Sequence, residues 1–265
     1  MNPTTVLLLG AGRMGGAMIE GWTGAGPVAL GELLIRDPHP GAEALAAADD
    51  GATLNPTDSD LGQAATVIVA VKPQMWREVA TVVEPHLAQD AVIISIAAGV
   101  SIASLAEVFG ERDIARVMPT TAVAIGQGTA SIAANSDFAR QRAHDLFDTI
   151  ANTVDIDDED LMHAATAVSG SGPAYLYAFV EALEAAAIEA GFAPDAAATL
   201  AQSTIAGAAQ LMTMSEASPA ELRAQVTSPG GTTQAALEVL MGDGGLGALL
   251  NEAVAAAVKR SRELG

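Results

Sequence analysis

The chain has no cysteine. That removes disulfides, thiolate metal sites and cysteine nucleophiles together, and it fits a reducing compartment such as the cytoplasm. Aromatic residues make up only 3% of the 265 positions, so a core must be built from aliphatic side chains and alanine. Basic charge is scarce as well. Twelve lysines and arginines stand against 32 acids, for a formal net charge of −20, and lysine occurs only at Lys72 and Lys259. Such a surface repels nucleic acid and anionic membranes, so neither is expected as a partner. A genome biased toward Arg and Ala codons, or adaptation to salt, would each produce this composition. No apolar run reaches the ~18 residues of a membrane span. The opening MNPTTVLLLGAG also lacks the basic region of a secretory signal.

What is present is an ample apolar share. Half the residues are hydrophobic, enough to build one large domain or two ordinary ones. The first half alternates short apolar runs with helical patterns. Strands are expected at 5–9, 33–36, 66–71, 91–96, 114–118, 129–134 and 153–156. Helices are expected at 12–25, 40–48, 74–83, 102–109 and 137–150. Continuous apolar strands between helices imply a mostly parallel sheet covered on both faces. After Ile156 the strand pattern stops. DDEDLMHAATAV reads as an acid-capped helix start near Asp157 or Asp158. Helices are then expected at 175–190, 194–214, 219–226, 232–241 and 246–264. The boundary falls near Asp158, giving domains 1–158 and 159–265. The alanine content of the second half points to close helix packing and a helical dimer interface.

VLLLGAGRMGGAM contains Gly10-x-Gly12-x-x-Gly15 directly after a strand and opening a helix. In that context Gly10 permits the tight turn and Gly12 lets a pyrophosphate reach the backbone. Gly15 permits close helix–strand packing, so a dinucleotide is the expected ligand. Met14 lies in the same loop, where it touches the cofactor or packs into the helix. Asp37, closing LLIRD, stands where an acid would hold the adenosine ribose. Arg36 and Arg13 pull the other way, because a cation there suits a 2′-phosphate. NADH and NADPH both stay open. Val71, Lys72 and Pro73 follow another strand and fall near the same crevice, where Lys72 either meets an anion or faces water. The histidines, His39, His86, His144 and His163, show no ligand spacing, so no metal is expected.

VTSPGGTTQAAL interrupts the helical half. One reading is a plain turn in which Thr232 caps the next helix. The other is a binding loop, with bare backbone at Gly230 and Gly231 leading into a helix N-terminus that favours an anion.

LGAGRMGGAM, AVKPQ, SIAAGVSIASL, RVMPTTAVAIGQG, AVSGSGPAYLYAFVEAL and VTSPGGTTQAALEVL occur in that order. Together they resemble the pyrroline-5-carboxylate reductases over nearly the whole chain. The last two are the specific ones. The resemblance implies an α/β fold, with an N-terminal Rossmann-type, mostly parallel sheet and a C-terminal all-α dimerisation domain. It implies reduction of Δ1-pyrroline-5-carboxylate to L-proline with NADPH or NADH. It further implies that Ser228, Pro229, Gly230, Gly231, Thr232 and Thr233 hold the substrate carboxylate, and that Thr233 reaches the imine nitrogen. Ser171 and Gly172 of SGSGP should line the same pocket, and an acid near Glu216 should help place the loop. The chain departs from the family at Arg13, commonly Asn, at Asp37, often Ser, Thr or Asn, and at Thr120–Ala122, commonly Asn-Thr-Pro. A β-hydroxyacid dehydrogenase would need a lysine on the first long helix of the second half. None lies between Lys72 and Lys259. A non-catalytic nucleotide sensor would have no use for both Thr232 and Thr233.

Overall fold

The computed structural model describes residues 5–264. Met1–Thr4, the stretch inspected above for a leader, and Gly265 lie outside the described residues. The chain divides into two compact units, one of residues 1–170 with 257–265 and the other of residues 171–256.

The first unit is an eight-stranded sheet. Its strands are β1 (Val6–Leu9), β2 (Leu33–Arg36), β3 (Thr53–Leu54), β4 (Thr66–Val69), β5 (Val92–Ser95), β6 (Ile114–Pro119), β7 (Gly128–Ala134) and β8 (Ala151–Asp155). The helices between them are α1 (Arg13–Ala25), α2 (Ala42–Asp49), α3 (Asp58–Leu61), α4 (Trp76–Val83), α5 (Ile102–Phe109) and α6 (Asp137–Phe147). The order across the sheet is β3-β2-β1-β4-β5-β6-β7-β8. Every neighbouring pair is parallel except β6 and β7. The chain runs outward from β1 through β2 to β3, then returns to the other side of β1 as β4. That reversal opens a crevice at the carboxyl ends of β1 and β4, where ligands of such sheets bind.

Alternation along the strands divides the core. Leu8, Ile35, Ile68 and Ile94 face α1 and α6, meeting Met18, Trp22, Leu146 and Phe147. Leu7, Leu9, Val67, Val69 and Ile93 face the other way, onto Leu61, Trp76, Leu105 and Phe109. This is the period-2 geometry of a strand buried on both faces. Trp22 is one of the few aromatics, and its indole nitrogen donates to the Leu146 carbonyl at 2.9 Å.

β3 and α3 were not expected from sequence. The antiparallel β7 was expected as a strand but not in that direction. A 3-10 segment at Thr121–Ile125 turns the chain around before it. β8 forms an edge of the sheet. Beside it the His144 ring meets Asp148 at 2.9 Å and Asp155 at 3.2 Å, and Arg140 pairs with Asp155 at 2.9 Å. The hydrogen bond to Asp148 raises the His144 pKa above its ordinary value, burial opposing it, and Asp155 adds to the rise.

The helix expected after Asp158 is broken into three pieces. Asp158 caps a 3-10 turn at Glu159–Leu161, α7 (Met162–Ala165) follows, and Thr166–Gly170 forms a π turn. Glu159 accepts from the Ile102 amide at 2.8 Å and from the buried Arg116 at 2.6 Å, which ties this segment to the sheet. The end of the last helix, α12 (Leu246–Leu264), also belongs to this unit. There the hydroxyl of buried Ser261 lies 2.9 Å from His163 Nδ1.

The second unit carries α8 (Gly172–Glu189), α9 (Pro194–Thr213), α10 (Pro219–Gln225), α11 (Thr232–Leu240) and the body of α12. Prolines in the first turn start α8, α9 and α10, where a missing N–H costs nothing. A Ser218–Glu221 capping box also starts α10. α8 buries no residue, and α9 buries only Ala197 and Ala201. Leu176, Tyr177, Phe179, Leu183, Leu211 and Leu249 stand exposed.

Candidate active site

The glycine loop is built as its spacing requires. Gly10 has φ +96°, a left-handed conformation, and a side chain there would press on Val71 at 2.9 Å and on the Ala70 backbone at 3.0 Å. A Cβ at Gly15 would run into the Gly10 carbonyl oxygen, so α1 lies directly on the turn. Gly12 is the N-cap of α1, and nothing lies within 4 Å of where its side chain would begin. The first turn of α1 holds no acid. An open backbone at the N-terminus of a thirteen-residue helix therefore fits a pyrophosphate. Val71, Lys72 and Pro73 come to the same end of the sheet through the approach of Val71 to Gly10. The Lys72 side chain is exposed, and Met14 is half-buried against the core beneath α1.

Asp37 is fixed more firmly than its sequence position foretold. Its carboxylate accepts from the Ala11 amide at 2.6 Å and from the His39 amide at 2.7 Å. Its own N–H donates to the Asn55 side chain at 3.0 Å. Asn55, at φ +49°, is the one non-glycine residue with positive φ among those described. The acid at the end of β2 is thus joined to the glycine turn, and each oxygen keeps a lone pair for a hydroxyl. Arg36 turns to Asp58, with its guanidinium 3.0 Å from the carboxylate. Arg13 is exposed, and no acid pairs with it among the described residues. Sequence reasoning missed Asn55 and Asp58. The available signal was TDSD at 57–60, a capping-box pattern that forms between Thr57 and Asp60.

Near β6, Thr120 is buried. It donates its amide to the Thr129 carbonyl at 2.9 Å and accepts from the Thr129 amide at 3.0 Å. Thr120 therefore pins the turn between β6 and β7.

In the second unit the SPGGTT loop is a tight turn followed by α11. The Gly231 amide donates to the Ser228 carbonyl at 3.0 Å, and the Gly230 amide to the Gln234 side chain at 2.7 Å. Gly230 has φ +70°, and Pro229 is exposed beside it. The cap is Gly231, not Thr232, and no side chain fills that role. The reading of Thr232 as a cap is therefore corrected: Thr232 is the first helical residue, too far along to bond the N2 or N3 amide. The first intrahelical bond runs from the Ala235 amide to the Gly231 carbonyl at 3.2 Å. The amides left for a ligand are those of Thr232, Thr233 and Gln234, the three residues directly after Gly230 and Gly231. Ser171 is the N-cap of α8 and uses no side-chain bond, directly after the π turn. Gly172 opens that helix. Glu221 is occupied by its capping box. Burial opposes but does not outweigh the Ser218 hydrogen bonds, which hold its carboxyl below the usual range. Glu216 makes no hydrogen bond or ion pair among the described residues. Of the histidines, His144 and His163 sit in the contacts given above, His86 lies 3.8 Å from Asp58, and His39 supplies its backbone amide to Asp37. No group of three or more potential ligands converges for a metal among the described residues. No helix is long and apolar enough to cross a membrane among them.

Comparison with known proteins agrees with this layout. Residues 159–264 match the family model described as pyrroline-5-carboxylate reductase dimerisation, and residues 5–99 match that of NADP oxidoreductase, coenzyme F420-dependent. The chain is similar to the pyrroline-5-carboxylate reductase of Pisum sativum, 36% identical over 98% of this chain and 96% of the relative. It is similar in structure to a pyrroline-5-carboxylate reductase from Coxiella burnetii, with TM-score 0.90 and 29% identity, covering 100% of this chain and 99% of that one. It is also similar to the Plasmodium falciparum pyrroline carboxylate reductase solved with NADP bound, with TM-score 0.85 and 27% identity, covering 100% and 99%.

Proposed function

The chain belongs to the pyrroline-5-carboxylate reductase family, and we propose that it performs that reduction with the SPGGTT loop as its substrate anchor. The reaction takes Δ1-pyrroline-5-carboxylate to L-proline with NAD(P)H. The observation that carries the role of the loop is the set of three amides opening α11, with the Thr233 hydroxyl among them. We assign the amides of Thr232 and Thr233 to the substrate carboxylate, aided by the positive end of the nine-residue α11. The bonds from Gly230 and Gly231 to Gln234 and Ser228 keep the loop in shape before substrate arrives. Ser228, Ser171 and Gly172 complete the lining in this reading, and Pro229 restricts the turn.

Thr233 orients the imine nitrogen with a neutral hydroxyl. The protonated imine is already electrophilic, so no buried acid is required, and positioning supplies most of the rate. NAD(P)H supplies the hydride. The backbone at Gly12 would meet its pyrophosphate, with Gly10 making the turn and Gly15 the close packing that bring it there, and Arg13 would stand near the ribose. Met14, Val71, Lys72 and Pro73 would line the crevice, and Asp37 the adenosine ribose. The test is oxidation of NAD(P)H by the purified chain on adding the cyclic imine. Nucleotide binding without turnover would mean a sensor instead.

The proposal gives residues 1–158 to the nucleotide and 159–265 to helical association and substrate binding, in the cytoplasm. The match to a dimerisation family model supports a homo-oligomer. The apolar side chains left exposed on α8, α9 and α12 support an obligate homodimer through this half, alone or within a larger assembly. Light scattering at micromolar concentration should give a dimer or a multiple of it, and a monodisperse monomer would refute the assignment.

For the nucleotide, NADH should be used at least comparably with NADPH. A 2′-phosphate near Asp37 would meet a like charge, and roughly 1–2 kcal/mol of that repulsion survives solvent. Asp37→Ser should weaken both nucleotides, because Ala11 and His39 lose their acceptor. The ratio of kcat/KM should move toward NADPH by about tenfold, since 1.4 kcal/mol is one decade. A wild type strongly selective for NADPH, with a ratio unmoved by the substitution, would show that Asp37 does not meet the ribose.

A further inference from the structure

We infer that Asp58 is a specificity-determining residue for the nucleotide, acting by occupying Arg36. The inference rests on the nucleotide reading of the glycine loop above. Arg36 is the last residue of β2, next to the Asp37 that bonds the glycine turn, so it stands where a cation would meet a 2′-phosphate. Its guanidinium is committed elsewhere: Nη1 donates to Asp58 Oδ1 at 3.0 Å. Asp58 is the first residue of α3, held by the Thr57–Asp60 capping box that follows the Asn55 turn. The same turn fixes Asp37 through the Asn55 side chain. One short segment, 55–60, therefore places the ribose acid and ties up the neighbouring cation. The other Asp58 oxygen lies 3.8 Å from His86 Nε2, and Arg36 is its one Lys or Arg partner among the described residues. The Arg36 and Asp58 side chains are 30% and 55% exposed, which leaves the pair open to exchange with an incoming anion. A phosphate reaching Arg36 must share its charge with a carboxylate or displace it, and a 2′-hydroxyl need not. The competition taxes NADPH alone.

The test is direct titration of NADPH and NADH onto the full-length protein as wild type, Asp58→Ala, Arg36→Ala and the double variant. Exposed ion pairs are weak, so Asp58→Ala should tighten NADPH by about fivefold and leave NADH within about twofold. The gain should vanish when Arg36 is also alanine, and should shrink with added salt. In steady state it should appear in the KM for NADPH and not in kcat, and Asp58→Glu should return the wild-type ratio. The thermal midpoint serves as the folding control, since Asp58 is a surface residue. An unmoved ratio with both nucleotides bound, or a gain that persists without Arg36, overturns the inference alone. A wild type that binds neither nucleotide overturns it together with the nucleotide reading.

Discussion

Replacing Thr233 by alanine is expected to lower kcat by about 10- to 100-fold, because a hydrogen bond to a charged reacting group is worth about 1.5–3 kcal/mol. The structure makes this a clean test. Thr233 is the second residue of α11 and its hydroxyl bonds to nothing among the described residues, so no cap is lost. Alanine is also the better helix former. The thermal midpoint should therefore hold, and nucleotide affinity should stay within about twofold, since only the imine loses a partner. Thr233→Ser should recover most of the rate. Unchanged steady-state kinetics in the purified alanine variant would end the role given to Thr233, and an equal fall in nucleotide affinity would point to damage of the fold.

The second large effect separates two glycines three residues apart. Gly15→Ala places a methyl group against the Gly10 carbonyl oxygen. Gly10 has little room to yield, because a Cβ built on it would already press on Val71 at 2.9 Å and on the Ala70 backbone at 3.0 Å. α1 must lift from β1, at a cost of about 1–3 kcal/mol, which is a fall in Tm of roughly 5 °C for a unit of this size. Nucleotide affinity should drop by at least about tenfold, as the helix N-terminus leaves its place. Gly12→Ala meets nothing within 4 Å, so Tm should hold while affinity falls, the methyl group standing where the pyrophosphate would approach. Calorimetry and nucleotide titration of both variants check this. If Gly12→Ala loses stability and binds nucleotide normally, the loop faces something other than a dinucleotide.

The sheet was legible because β1 is wholly apolar and β4 and β5 are short runs with three apolar residues in four, and runs of that kind have few other places in a fold. The helices of the second half were legible through their ends: Pro194, Pro219 and Ser218 mark starts that the structure reproduces within a residue. β3 was not legible, since two residues carry no period, and neither was the direction of β7. Direction depends on how a connection closes in space, and TTAVAIGQG does not declare its 3-10 turn. The π turn at Thr166–Gly170 hid inside an ordinary helical pattern for the same reason. At the site, the glycine spacing foretold the tight turn at Gly10 and the close packing at Gly15. The bond from Ala11 to Asp37 spans 26 positions, and such pairing follows from strand register, which local sequence does not state. The loop residues were recognised by motif, but which amides remain open was not. That depends on Gln234 reaching back to Gly230.

The outer strand β8 has a neighbour on one side only, so its far row of backbone groups could recruit a strand from another molecule. Asp155 ends this strand, and Asp148, Arg140 and His144 gather beside it. An incoming strand would have to strip water from that cluster and offer charges of matching sign to keep it neutral. At the opposite border β3 offers only two residues, too few to template a ladder. With a net charge of −20 repelling like molecules, edge-to-edge growth into fibrils is blocked at both ends. The protein can then associate through its exposed helices without aggregating through its sheet.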